Sequence, residues 1–261
     1  MIPAPIRADV LRRLHGAEAE HGVRVLLAVE SGSRAWGFES SNSDFDARFI
    51  YVHPRDWYLS IGLEEQRDVI EYPILDDIDL NGWDLRKALR LFRNSNPAFV
   101  EWIQSPIVYL ESGTFASAVR QLLPEIYSCS SGVHHYRNMA KNNFRGYLKA
   151  DLVPLKKYFY VLRPLLSVRW LVQHGTPAPI EFGKLLPLIQ EEHTLLADIN
   201  ALLQRKRTAL EMGMAPPVAS IDTFIERELD RLESIESAPR QHEGATHKLD
   251  SVFRDCLEDD A

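Results

Sequence analysis

The chain has 261 residues, 45% hydrophobic and 26% charged, with 13 Gly and 15 Pro, an ordinary globular composition that excludes collagen-like and wholly disordered classes and suits one large domain or two small ones. Thirty Lys and Arg against 37 Asp and Glu leave a net charge of -7, which excludes nucleic-acid binding through overall basicity, so any anionic partner needs a local patch. Cys129 and Cys256 stand in no Cys-x-x-Cys or Cys/His cluster, and no apolar run approaches the roughly 18 residues that span a bilayer; a reducing cytoplasm and no membrane are expected.

In chain order, residues 4–21 read as a helix, with Ile6, Val10, Leu11 and Leu14 at helical spacing. Residues 23–29 are a short β-branched apolar run ended by Ser31-Gly32-Ser33, which reads as a central strand; 45–52 is the next strand, and 34–44 supplies a helical turn and a loop. Residues 67–74 and 76–80 read as further strands, followed directly by a helix over 84–92. After about Ser112 the strand signals stop, and helices are expected over 114–123, 133–148, 155–173, 200–212 and 220–236. Residues 175–181 are turn-rich, and 237–247 read as a flexible linker before a last short helix. The pattern predicts an α+β domain over 1–112 and a helical domain over 113–261.

The chemistry concentrates in Gly32-Ser33, ten residues, then Asp44-Phe45-Asp46. On a strand Asp44 and Asp46 share one face about 6.6 Å apart, with Phe45 turned the other way. Two like charges so placed call for a cation, and hard carboxylate oxygens suit Mg²⁺ bound together with phosphates. Gly32 lets backbone approach a phosphate, Ser33 can donate to it, and Arg34, beside the cradle, is expected to help bind the nucleotide phosphates. Two-metal phosphoryl transfer needs a third carboxylate from a neighbouring strand; Asp79 is the choice, with Glu71 and Asp77 as competitors. Asp84 is better explained by the acidic start of its helix than as a ligand. Trp36, Trp83 and Trp102 read as core anchors rather than base stackers.

Gly-Ser, a spacer, Asp-x-Asp and a later strand carboxylate resemble the nucleotidyltransferases of the DNA polymerase beta superfamily. The stretches around Gly32 to Phe38, Ser43 to Tyr51 (SDFDARFIY), Asp79 to Leu89 and Lys156 to Leu166 are similar to its RNA-repair-associated branch. The resemblance spans roughly residues 23 to 170. It implies a small mixed sheet with flanking helices, two Mg²⁺ (Mn²⁺ being the alternative ion) on Asp44, Asp46 and Asp79, and transfer of a nucleoside monophosphate from an NTP with loss of pyrophosphate. An RNA end, a protein hydroxyl or a small molecule could accept it. The reading from a different class is a nucleotide-sensing or RNA-binding module without catalysis, against which the three acids argue.

A separate feature is the window 131–175, which holds Arg137, Lys141, Arg145, Lys149, Lys156, Lys157, Arg163 and Arg169 against Asp151 alone. Arg137, Lys141, Arg145 and Lys149 recur every four residues and would line one helix stripe facing RNA phosphates, while Lys157 and Arg163 suit contacts to a triphosphate.

Overall fold

Helix α1 (Ala4–His21) begins after Pro3, whose fixed φ suits a helix start, and leads into β1 (Arg24–Glu30). A single turn, α2 (Gly32–Ala35), follows, and the chain returns as β2 (Phe45–Val52), antiparallel to β1. Next come the short α3 (Arg55–Tyr58), β3 (Val69–Glu71), β4 (Ile78–Asp84), α4 (Leu85–Arg93), α5 (Pro97–Ile103), β5 (Val108–Glu111) and α6 (Phe115–Ile126). The structure, a computed structural model, describes residues 2–208, 213–233 and 244–258.

The five strands form one mixed sheet in the order β3-β4-β2-β1-β5, in which only the β2–β4 pair is parallel. Alternation along β2 sorts its side chains: Ala47, Phe49 and Tyr51 pack with Val10 and Leu14 of α1, while Ile50 and Val52 face a second cluster with Leu85, Leu89, Phe99 and Phe115. Both faces are thus covered, as the continuous apolar run of β1 requires. The start of β2 breaks the rule on the second face, because Asp46 and Arg48 occupy the positions that continue the Ile50 and Val52 row.

The helix expected over 84–92 forms as α4, and Asp84 is its N-cap, accepting from Arg86 N at 2.8 Å and from Tyr58 Oη at 2.6 Å. The strand expected over 76–80 starts late. Asp76 and Asp77 both have positive φ, 52° and 60°, between Leu75 and Ile78, which exchange hydrogen bonds; the two acids make a tight hairpin turn into β4. Helix α5, capped by Asn96, and edge strand β5 were not among the expected elements.

The remaining elements are α7 (Cys129–Tyr147), β6 (Val153–Pro154), α8 (Phe159–His174), α9 (Phe182–Leu185), α10 (His193–Thr208), β7 (Met214–Ala215), α11 (Ala219–Glu233) and a C-terminal helix (Ala245–Glu258). Most of the linker read over 237–247 lies outside the described residues.

The chain divides into two compact units, Met1–Ala35 with Asp44–Tyr127 and His242–Ala261, and Trp36–Ser43 with Ser128–Gln241. This corrects the boundary expected at 112/113 in three ways. Helix α6 packs under β1, and the C-terminal helix sends Leu249 and Val252 into the same core and packs on α4 and α6, so both belong to the sheet unit. The strap 36–43 belongs to the helical unit, where Phe38 stacks on Phe159 and meets Phe182 edge-on. Buried apolar side chains decide unit membership, and their partners are far away in sequence.

Candidate functional site

The site starts at the end of β1. Gly32 has φ +59°, and a Cβ there would lie 1.9 Å from Asp46 Oδ2, so the turn after β1 and the carboxylate of β2 touch. Two hydrogen bonds fix this approach: Ser31 N donates to Asp46 O at 2.8 Å, and Asp46 N donates to Glu30 Oε1 at 3.0 Å. Gly32-Ser33 and Asp-x-Asp are therefore brought together, with Ser33 buried in α2. Asp44 stands just before β2 on an exposed residue, and its carbonyl accepts from Arg34 Nε at 3.1 Å. Arg34 also lies over the Phe45 ring, 3.9 Å from its centre, which makes it a brace for the Asp44-Phe45 backbone.

In the parallel register of β2 and β4, Asp46 pairs with Asp79. Of the three candidates for the third acid, Asp79 is the one beside Asp46: Asp77 sits in the hairpin turn and Glu71 is exposed on β3, paired with Arg67. The arrangement differs from three acids converging on open space. Arg48 Nη2 donates to Asp46 Oδ1 at 3.0 Å and to Asp79 Oδ2 at 2.6 Å, and Asn81 Nδ2 donates to Asp79 Oδ1. Among the described residues no group of three or more His, Cys, Asp or Glu is close enough to enclose an ion. Arg48 and Asn81 were missed in the sequence because what they touch depends on the β2–β4 register; the period-2 spacing of Asp46-Ala47-Arg48 and Asp79-Leu80-Asn81 is the signal that places them on the same face.

Burial raises the Asp46 carboxyl above its ordinary range; Arg48 pulls it back down, and Asp79 and Asp44 raise it further. Asp79 and Asp44 thus both act on Asp46. Glu30, buried at the end of β1, accepts from Tyr109 Oη at 2.5 Å, and burial pushes its carboxyl up to about 7. Because the folded chain holds this proton where the unfolded chain has released it, the contribution of Glu30 to stability is full below about pH 4.5 and is lost as pH rises through 7. The whole shift corresponds to about 3 kcal/mol. Glu30→Gln cannot titrate. Urea unfolding is expected to show the variant gaining on wild type by that order between pH 4 and 8; a constant difference would mean that Glu30 titrates normally.

Lys157 and Arg163 lie in the helical unit. Lys157 Nζ is 4.0 Å from the centre of the Tyr147 ring and 4.9 Å from that of Tyr160, and buried Arg163 lies over Trp36 at 4.1 Å. Trp36 packs on Phe38 and meets Tyr160 edge-on, and Trp83 and Trp102 stack on each other in the sheet unit. Lys206 was not anticipated. It is buried on α10 beside Phe38, its pKa lowered by burial and then by Lys156.

The basic stripe of α7 turns out to face acids: Lys141 pairs with Glu233 at 3.0 Å, Lys149 with Glu226 at 2.7 Å, and Arg137 donates to Leu232 O at 3.0 Å, all on α11. Arg169 is taken up likewise by Glu228 and Glu192. Lys141 and Lys149 of the expected stripe thus have acids beside them, which lie 92 and 77 positions downstream.

The donor chemistry of the sheet unit fits a hard divalent cation. Asp46 and Asp79 present carboxylate oxygens side by side, and they already attract one cation in Arg48. A concavity of about 230 Å³ elsewhere in this unit, walled by Arg86, Arg90, Leu249 and Phe253, includes none of these residues. Among the described residues no helix is long and apolar enough to cross a membrane.

Comparison with known proteins places these features. The chain is 44% identical over 252 residues to "Uncharacterized protein YcgL" of Bacillus subtilis (strain 168), a match covering 96% of this chain and 95% of that one. A crystal structure of a nucleotidyltransferase-like protein from Exiguobacterium sibiricum 255-15 aligns with 94% of this chain and 76% of its own, at 12% identity and a TM-score of 0.32, a likeness too slight to decide fold or function. Residues 6–255 match the RNA repair pathway DNA polymerase beta family, and the chain belongs to that family of nucleotidyltransferases.

Proposed function

We propose that the protein transfers a nucleoside monophosphate from an NTP to a hydroxyl acceptor, an RNA end, with release of pyrophosphate. The observation that carries this reading is Asp46 set beside Asp79 across β2 and β4, in contact with the Gly32 turn. Asp44, Asp46 and Asp79 would hold Mg²⁺, which when bound polarises the α-phosphate and lowers the pKa of the attacking hydroxyl. Gly32 and Ser33 would receive the β and γ phosphates against backbone, and Arg34 keeps Asp44 in place through its carbonyl. Lys157 and Arg163 are proposed as nucleotide-binding residues, since cations stacked on aromatic rings suit an anionic ligand that carries a base. The RNA acceptor is supported by the family's description and not by the α7 stripe. A cytoplasmic site of action completes the reading.

The test is incubation of the full chain with radiolabelled NTPs, Mg²⁺ and a panel of RNAs with defined 5′ and 3′ ends. Labelled RNA and free pyrophosphate in equal amounts are the expected result. Label on protein or small molecules alone would move the acceptor, and nucleotide binding without pyrophosphate release would instead favour the sensor.

A further inference from the structure

Arg48 is the residue at the site whose geometry the reaction does not explain. Its guanidinium is folded back along β2 onto the two acids, and both of its terminal nitrogens are fully used. Nη1 donates to Ala47 O at 3.1 Å and Asp79 O at 2.7 Å, and Nη2 donates to Asp46 Oδ1 at 3.0 Å and Asp79 Oδ2 at 2.6 Å. The side chain is 17% exposed, between partners that are 27% and 20% exposed. Four aimed donors in a partly buried position make a built contact, unlike a surface ion pair that samples many geometries.

The carboxylate oxygens are accounted for accordingly. Arg48 takes one oxygen of each acid, Asn81 takes Asp79 Oδ1, and Asp46 Oδ2 lies against Gly32. A metal shared by Asp46 and Asp79 would therefore sit against the Arg48 guanidinium and compete with it for the facing oxygens. A bare divalent ion would have to displace the guanidinium and brings no anion to receive it. An ion arriving with a triphosphate brings phosphate oxygens, to which a planar guanidinium fork is well matched.

We propose that Arg48 is a built-in competitor for the metal site: it neutralises Asp46 and Asp79 in the resting protein and gives them up when phosphate is present to receive it, so that metal binding depends on nucleotide. The proposal rests on the metal role given above to Asp46 and Asp79.

The experiment measures Mn²⁺ binding to the full chain by electron paramagnetic resonance, with and without a non-hydrolysable NTP analogue, for wild type, Arg48→Met and Arg48→Lys. Met keeps the apolar stem and removes the charge; Lys keeps the charge and loses the fork. Wild type is expected to bind free Mn²⁺ at least about tenfold more weakly than Arg48→Met, with the gap narrowing when the analogue is added. Arg48→Lys should fall between them. Thermal melts in a Mn²⁺ series provide a second readout, because Arg48→Met leaves two acids facing each other: it should melt lower than wild type without metal and recover at lower Mn²⁺. Equal or weaker binding of free Mn²⁺ by Arg48→Met, with wild type still binding Mn²⁺, would overturn the role of Arg48 alone. Absence of Mn²⁺ binding in all three proteins, with the analogue present, would overturn the metal site and this proposal together.

Discussion

Asp46→Asn and Asp79→Asn are each expected to reduce nucleotidyl transfer on the order of 10³-fold or more while leaving a folded protein. The activity loss follows from position. Asp46 is tied by its backbone to Ser31 and Glu30 and touches Gly32, and Asp79 is fixed opposite it by the parallel register, so each carboxylate is held in a defined place. Survival of the fold follows from the electrostatics. Burial and the charges of Asp79 and Asp44 already press Asp46 toward its neutral form, so an isosteric amide relieves part of that cost. Asp44→Asn should act in the same direction. Single-turnover assays with labelled NTP, paired with thermal melts, separate the two effects; wild-type rates in Asp46→Asn or Asp79→Asn would reject the assignment, whatever the melts show.

The parts of this site that were legible in the sequence are those set by local chemistry. β1 ends at a Gly-Ser turn because a β-branched run meets a residue that can take positive φ, and Asp84 starts α4 because a carboxylate there accepts a backbone N–H. Asp79 was separable from Asp77 only by knowing where β4 begins. The signal is present, since adjacent acids at positive φ are turn formers, but the alternation of Asp77 with Ile78 looks equally like strand. Register decides between them.

What the sequence left hidden depends on pairing at a distance. Arg48 reads locally as an ordinary polar residue of a half-exposed strand, and nothing near it says that its guanidinium ends on β4, 31 positions on. The α7 stripe likewise reads as a free cationic face until α11 brings Glu226 and Glu233 against it. The units were misdrawn for the same reason: residues 36–43 lie between two strands of the sheet, yet Phe38 is buried with Phe159 and Phe182. Composition windows find where charge or apolar side chains are dense. They do not find what those side chains meet.

Gly32→Ala is the second change with a large expected effect, and Gly37→Ala is its control. Both glycines have positive φ, +59° and +79°, so alanine at either pays a backbone cost of about 1 kcal/mol. They differ in surroundings. A Cβ at Gly37 meets nothing within 4 Å, whereas at Gly32 it would lie 1.9 Å from Asp46 Oδ2 and 2.7 Å from Asp46 Cγ. That carboxylate cannot swing away without breaking its bond to Arg48, and its backbone is pinned by Ser31. Gly32→Ala should therefore lose a further 1–3 kcal/mol or so by urea unfolding and nearly all transfer activity, while Gly37→Ala loses only the backbone cost and keeps its rate. Equal losses in the two variants would mean that the turn matters for its φ alone. An active Gly32→Ala would show that the contact between the Gly-Ser turn and Asp46 is dispensable for the reaction.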